Sequence, residues 1–145
     1  MSKLLRVMAI DPGPTPGWAV GEIDPSLPTL TVVETGVAED IFKMGDLVMT
    51  ASADVLVYES WRLFGNKAKA LIGSDMVASQ SIGIIRYRWA QQNCGDPVVQ
   101  QPKDKDVGLI TMSDEFRKQM KTGSGKQHDK DALIHLWLYY WKEYV

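Results

Sequence analysis

Leu4-Leu5-Arg6-Val7-Met8-Ala9-Ile10-Asp11-Pro12-Gly13 is the stretch of sequence that decides the fold. Residues 4–10 are mostly apolar and rich in branched side chains, which is typical of a buried first strand. Pro12 and Gly13 favour a tight turn, so the strand is predicted to end near Asp11. The first strand therefore delivers a carboxylate to the edge of the predicted sheet.

The segments that follow predict a mixed sheet. Residues 18–23 and 30–35 read as strands, and the short turns before each of them indicate an antiparallel meander. A helix over 39–52 then leads into a strand over 55–58, and this crossover favours a parallel neighbour for the first strand. The remaining predicted elements are a long helix over 74–93, a strand over 98–100, short helices within 102–110 and after Ser113, and an apolar last helix over 129–144.

Length and composition indicate one soluble domain spanning residues 1–145. Of its 145 residues, 45% are hydrophobic and 23% charged, and the net charge of −2 argues against a broadly basic nucleic-acid surface while allowing a local one. Cys94 is the single cysteine, which excludes an internal disulfide framework. With no signal-peptide pattern and no long apolar run, the expected location is cytoplasmic, in a bacterial cell or a phage-infected host.

Three acidic clusters stand out against this background. Asp11 and Glu59 each follow an apolar run that is predicted to be a strand, and Asp131 lies where the apolar last helix begins. His128 comes three residues before Asp131, so both are expected on the same helix face. Hard oxygen ligands of this kind suit Mg²⁺ and phosphate chemistry. The pattern predicts a nuclease site assembled from distant parts of one domain.

The order and spacing of these motifs resemble those of RuvC-type Holliday junction resolvases, a branch of the ribonuclease H-like superfamily. The resemblance covers nearly the whole chain, including a segment similar to the family's long central helix over 78–85 and one similar to its lysine-containing segment over 102–108. The most specific matches are Ile10-Asp11-Pro12-Gly13 with Gly17-Trp18, Tyr58-Glu59, and His128-x-x-Asp131-Ala132-Leu133.

This resemblance implies an α/β fold, a ribonuclease H-like mixed five-stranded sheet flanked by helices. It also implies a Mg²⁺-dependent, structure-selective endonuclease that hydrolyses branched DNA to leave 5′-phosphate and 3′-hydroxyl ends. Two Mg²⁺ ions would be held, with Mn²⁺ able to substitute. Asp11 would bridge the ions, Glu59 would hold one and Asp131 the other, and His128 would bind metal or position the attacking water.

The resemblance further implies DNA contacts from basic and aromatic residues. Lys103 has the spacing of the family's catalytic lysine, and Lys105 is a candidate for contacting the DNA backbone. The loop after Glu59 combines aromatic and basic side chains, which could stack on an unpaired base and hold phosphate, with anchoring of the loop as the alternative role for the aromatics. Its candidate residues are Trp61, Arg62, Phe64, Lys67 and Lys69.

A homodimer is expected because resolvases cut two opposed strands of a symmetric junction. The interface predicted for it is the helix over 74–93, with Ile82, Ile85 and Trp89 on one side. Two further polar residues receive structural roles: Asp129 is expected to cap the last helix, and His135 to pack within it.

Alternative functions remain open from the sequence. A related nuclease could act on flaps, forks or RNA–DNA hybrids. The same core also occurs in sugar kinases and actin-like ATPases, although those need a second lobe and further glycine-rich loops. A protein that binds junctions without cutting them is a third alternative, against which the intact acidic set argues.

Overall fold

One mixed sheet forms the centre of the protein. The computed structural model describes residues 3–61, 76–92, 95–121 and 127–145. Its strands are β1 (Leu5–Asp11), β2 (Gly17–Asp24), β3 (Thr29–Val37), β4 (Val55–Glu59) and β5 (Val98–Gln100). They are ordered β3-β2-β1-β4-β5 across the sheet. The first three are antiparallel neighbours, and β4 and β5 run parallel to β1, which confirms the predicted meander and crossover.

Five helices are described, and their limits differ from the predicted ones by up to three residues. The helix predicted over 74–93 is described over residues 77–90, and the last helix begins two residues before its predicted start. No helix among the described residues is long and apolar enough to cross a membrane. The helices are α1 (Ile41–Thr50), α2 (Val77–Ala90), α3 (Asp104–Thr111), α4 (Asp114–Met120) and α5 (Gln127–Tyr144).

Alternation along the strands divides the core into two layers. Successive side chains of a strand point to opposite faces of a sheet. Ala9 and Val57 pack in the apolar cluster that contains α5, whereas Ile10 packs in the cluster that contains α1 and α2. Asp11 follows Ala9 by two residues and Glu59 follows Val57 by two, so both carboxylates belong to the face covered by α5.

The apolar side of helix α2 packs against the rest of the chain. It is therefore not the dimer interface that was predicted from the sequence. Ile85 and Trp89 are 0% and 2% exposed and pack with α1 against the sheet, and Ile82 is partly buried against the same cluster. These side chains contribute to the core because the spacing that suggested an interface equally describes an amphipathic helix lying on a sheet. They are therefore not a surface that a second copy could use.

Gly17 allows the start of α5 to lie directly against the sheet. It is the first residue of β2 and pairs with Asp11. A Cβ atom at this position would lie 2.1 Å from the backbone carbon and oxygen of His128 and 2.5 Å from the nitrogen of Asp129. Only a glycine fits such a close approach of two backbones, and this contact holds the first turn of α5 next to the end of β1.

Candidate active site

Three polar side chains stand in a row across neighbouring strands. In the parallel pairing of β1 with β4, Ile10 is opposite Tyr58, so Asp11 and Glu59 are the next residues along. Glu59 is in turn opposite Gln100 in the pairing of β4 with β5. Asp11 and Gln100 are buried, at 7% and 3% exposed. The carboxyl ends of three strands thus present Asp11, Glu59 and Gln100 to α5.

Helix α5 supplies the opposing side of the site. His128, Asp131 and His135 are spaced by three and then four residues, which places all three on one face of a helix. His128 contacts Asp11, and His135 contacts both Glu59 and Gln100. The face of α5 that carries Asp131 therefore covers the row of strand residues.

Asp11 and His128 form the first contact across the site. The Nδ1 atom of His128 lies 3.0 Å from Oδ2 of Asp11. Burial raises the pKa of Asp11; the hydrogen bond to His128 opposes this rise, and the negative charges of Glu59 and Asp131 reinforce it. Because the three carboxylates are close enough to repel one another, a positive charge near them would stabilise the site.

Lys105 supplies a positive charge beside two of these carboxylates. Its Nζ atom lies 3.3 Å from Oε2 of Glu59 and 3.3 Å from Oδ2 of Asp131. Burial alone would lower the pKa of Lys105, but the two carboxylates outweigh it and raise the pKa above its usual value. Lys103, which the resemblance implies as the catalytic lysine, instead precedes α3 as an exposed residue. The lysine beside the carboxylates is Lys105.

Glu59 is held by a histidine whose apolar sequence context predicted only a packing role. The Nε2 atom of His135 lies 2.7 Å from Oε2 of Glu59, and its Nδ1 atom lies 2.5 Å from the side-chain oxygen of Gln100. Burial would raise the pKa of Glu59, but the hydrogen bond and charge of His135 and the charge of Lys105 together lower it. His135 is therefore part of the site.

Asp129 is not the cap of α5. It is the third residue of that helix, because α5 begins at Gln127, and its side chain is fully buried at 0% exposed. Its backbone nitrogen lies so near Gly17 that a Cβ atom there would be 2.5 Å away. Asp129 thus belongs to the first turn of α5 with its side chain buried, whereas His128 and Asp131 face the site.

The predicted DNA-binding loop lies mostly outside the described residues. Trp61 is half-buried directly after β4, two residues from Glu59. The neighbouring Ser60 ties this point to β5, because its backbone N–H donates to the carbonyl of Gln100 at 2.7 Å. The other loop residues named for DNA binding, which are Arg62, Phe64, Lys67 and Lys69, lie outside the described residues.

The donor set fits a hard divalent cation by its chemistry. Asp11, Glu59 and Asp131 offer oxygen ligands and His128 a nitrogen, and the Lys105 ammonium already draws two of the carboxylates toward one cationic position. Within the described ranges, no three His, Cys, Asp or Glu side chains are arranged so that they could hold an ion as they stand. His128 and Lys105 keep the carboxylates in protein contacts, so the acidic side chains would need to change partners to bind metal.

Comparison with known proteins agrees with this architecture. No family model matches the sequence, and no curated protein matches it significantly. Solved structures of low sequence identity are similar in fold. The fowlpox virus Holliday junction resolvase has a TM-score of 0.62 at 14% identity, covering 97% of this chain and 100% of that one.

A second fowlpox virus structure, a complex of the resolvase with substrate Holliday junction DNA, gives a TM-score of 0.61 at 16% identity over 94% of this chain and 98% of that chain. The yeast mitochondrial Holliday junction resolvase Ydc2 gives 0.54 at 10% identity over 97% of this chain and 81% of its own. The mixed five-stranded α/β fold predicted from the sequence is confirmed: this chain has the ribonuclease H-like fold of Holliday junction resolvases.

Proposed function

We propose that this protein is a metal-dependent endonuclease that resolves Holliday junctions and other branched DNA by phosphodiester hydrolysis. The observation that carries the proposal is the convergence of Asp11, Glu59 and Asp131 at one edge of a resolvase-like sheet. Burial raises the pKa of Asp11, and the negative charges of Glu59 and Asp131 add to that rise. Perturbed carboxylates gathered in this way are more typical of a functional site than of a structural one.

Divalent ions would be held by Asp11, Glu59, Asp131 and His128. When bound, two such ions, Mg²⁺ or Mn²⁺, would acidify the attacking water and stabilise the leaving oxygen. The chain itself supplies the geometry: β1 and β4 fix two carboxylates side by side, and α5 brings Asp131 over them. His128, whose side chain is 45% exposed, can orient a water molecule while its Nδ1 atom contacts Asp11.

Lys105 is proposed as the cation that stabilises the reacting phosphate. Its raised pKa keeps it charged at neutral pH, and it is already beside Glu59 and Asp131. A fixed positive charge at this point can stabilise the negative charge that develops on the phosphate. Lys103, which is exposed nearby, is proposed to hold the DNA backbone instead.

The paired variants Lys105→Ala and Lys103→Ala test this assignment. We expect Lys105→Ala to slow cleavage roughly 10²- to 10³-fold, as the loss of one charge-stabilising donor does in other enzymes. We expect Lys103→Ala to change it by no more than about fivefold, as for an exposed ion pair. Single-turnover rates on one junction substrate make the comparison, and equal losses in the two variants would contradict the role given to Lys105.

DNA binding and dimerisation complete the proposal. Trp61 directly follows β4, where its aromatic ring could stack on an unpaired base of the junction, and the other predicted DNA-binding residues, Arg62, Phe64, Lys67 and Lys69, follow it in sequence. A homodimer would place two sites on opposed strands of a symmetric junction. The buried side of α2 belongs to the core, so the exposed side of that helix is the surface proposed for the contact.

A panel of labelled substrates tests the function against its nearest alternative, a related nuclease for flaps, forks or RNA–DNA hybrids. Purified protein with Mg²⁺ is expected to nick a four-way junction at least tenfold faster than a flap, a hybrid or a linear duplex of the same sequence, an order-of-magnitude expectation for structure-selective contacts. Faster cutting of the flap or the hybrid would keep the acidic site and favour the alternative substrate.

A further inference from the structure

We infer that His135 is a positioning residue that fixes the orientation of the Glu59 carboxylate for metal binding, and that Gln100 fixes the histidine ring in turn. The inference rests on the function proposed above for Glu59 and adds two residues to that site. Both side chains are buried. They act through Glu59, as outer partners of a metal ligand do.

Hydrogen bonding sets the direction of the contact with Glu59. A carboxylate only accepts, so the Nε2 atom of His135 donates to Oε2 of Glu59 across 2.7 Å. Lys105 approaches the same oxygen at 3.3 Å. Both donors therefore converge on Oε2, and the carboxylate is turned so that this oxygen faces α5 and α3.

The sheet holds the ring from its other side. Gln100 is opposite Glu59 in the pairing of β4 and β5, so both side chains rise from adjacent strands toward the same imidazole. The Nδ1 atom of His135 lies 2.5 Å from the side-chain oxygen of Gln100, and a flipped amide would present its nitrogen to the ring at the same place. With both nitrogens engaged, the ring cannot rotate without losing a buried hydrogen bond.

Burying the polar side chains of His135 and Gln100 costs free energy that an apolar pair would not cost. His135 is 0% exposed and Gln100 is 3% exposed, in a helix whose neighbouring residues on both sides of His135 are apolar. An aliphatic side chain at position 135 would pack at least as well in such surroundings. What an aliphatic residue cannot supply is a donor aimed at Glu59.

Two substitutions separate the two ring contacts. In His135→Gln the side-chain amide nitrogen can take the place of Nε2 and keep a donor on Glu59. In His135→Asn the shorter amide reaches only the position of Nδ1, so the contact with Gln100 is kept and the donor to Glu59 is lost. A residue with a purely structural role would respond similarly to both changes, whereas a positioning residue responds mainly to the second.

Mn²⁺ affinity measured by calorimetry without DNA is the primary readout, and junction cleavage is the second. We expect His135→Asn to weaken Mn²⁺ binding and to lower kcat about 10- to 100-fold, with KM for the junction little changed, as for other outer partners of metal ligands. We expect His135→Gln to recover most of both losses. Equal Mn²⁺ affinities for wild type and His135→Asn, or equal losses in the two variants, would overturn the inference.

Tyr140→Phe provides the matched control for stability. Tyr140 is buried on the same helix, and its hydroxyl donates to the carbonyl of Pro28 at 2.6 Å, so this change removes one partly buried hydrogen bond away from Glu59. It is expected to lower Tm without changing Mn²⁺ affinity; a parallel loss of affinity would mean that destabilisation alone explains His135→Asn, which overturns the inference.

The same experiment distinguishes a failure of this inference from a failure of the proposed function. If the wild type binds Mn²⁺ but cuts no DNA, the nuclease function fails, while the affinities of the Gln and Asn variants still decide the role of His135. If the wild type binds no Mn²⁺, the positioning role for a metal ligand is overturned directly.

Discussion

Asp11→Asn is expected to abolish cleavage of a four-way junction while leaving junction binding intact. The substitution keeps the shape of the side chain and an oxygen that can accept from His128, but it removes the negative charge at the centre of the acidic site. Mutating an outer partner of a metal ligand already lowers metal affinity or activity by about 10- to 100-fold. For a residue that would hold the metal directly, we therefore expect the cleavage rate to fall on the order of 10³-fold or more. Cleavage rates and gel-shift affinities on the same junction measure the two effects.

The same substitution is expected to stabilise the metal-free protein. Burial raises the pKa of Asp11 above that of the unfolded chain, so the unfolded state releases this proton more readily than the folded state. Ionisation of Asp11 therefore costs stability as the pH rises above the unfolded value near 3.8, and that cost persists at neutral pH. Replacement by a neutral amide removes it, so Tm in EDTA at pH 7 should rise.

The carboxylate of Asp40 provides the matched contrast for that experiment. Asp40 caps α1, and its side chain accepts from the backbone N–H groups of Phe42 and Lys43. Asp40→Ala should lower the free energy of unfolding by about 1 kcal/mol and leave cleavage unchanged. A fall in Tm for Asp11→Asn, of the kind expected for Asp40→Ala, would mean that Asp11 has a structural role.

Gly17→Ala is expected to cause the second large loss. The added methyl group would lie 2.1 Å from the backbone of His128, so the first turn of α5 must move away from β2. We expect the free energy of unfolding to fall by about 1–3 kcal/mol, as for other overpacked sites. Cleavage should fall roughly 10²-fold or more, because displacements near 1 Å can cost that much in a catalytic site.

The same substitution at Gly83 separates this effect from a general glycine effect. Gly83 lies within α2, and a Cβ atom there would meet nothing within 4 Å. Gly83→Ala should therefore raise the free energy of unfolding by about 0.5–1 kcal/mol, since alanine favours a helix interior. Thermal and urea unfolding of the two variants measure the difference, and unimpaired stability in Gly17→Ala would contradict the close approach of α5 to the sheet.

The strands and the acidic residues could be predicted because their signals are local. Runs of branched apolar residues mark β1 and β4, and each ends on its carboxylate as expected. The spacing of His128 and Asp131 on one face of the last helix was equally readable. The limits of helices are determined less by the local sequence. The predicted start at residue 129 implied that Asp129 caps the last helix, whereas α5 begins two residues earlier and the side chain of Asp129 is buried.

The lysine and the second histidine could not be assigned by the same local reasoning. Which of Lys103 and Lys105 faces the carboxylates depends on where α3 begins and how it lies against α5, and neither follows from spacing along the chain. His135 is surrounded by apolar residues, which suggested packing. The available signal was its position seven residues after His128, on the same face of the helix, together with the alignment of Gln100 and Glu59 on neighbouring strands.

For α2, the apolar side could be predicted from the sequence, but the surface that covers it could not. An amphipathic helix must cover its apolar face, but its sequence does not tell whether the cover is its own sheet or a second chain. In this protein Ile85 and Trp89 face the sheet and α1. Only the tertiary arrangement separates these two outcomes.

The most direct test of the central claim is a cleavage assay on a four-way junction with each of its four strands labelled in turn, comparing wild type with Asp11→Asn in Mg²⁺. We predict nicks on two opposed strands at symmetric positions for the wild type and no nicks for the variant. A wild type that binds the junction and leaves all four strands intact in both Mg²⁺ and Mn²⁺, or an Asp11→Asn variant that cuts as fast as wild type, would contradict that claim.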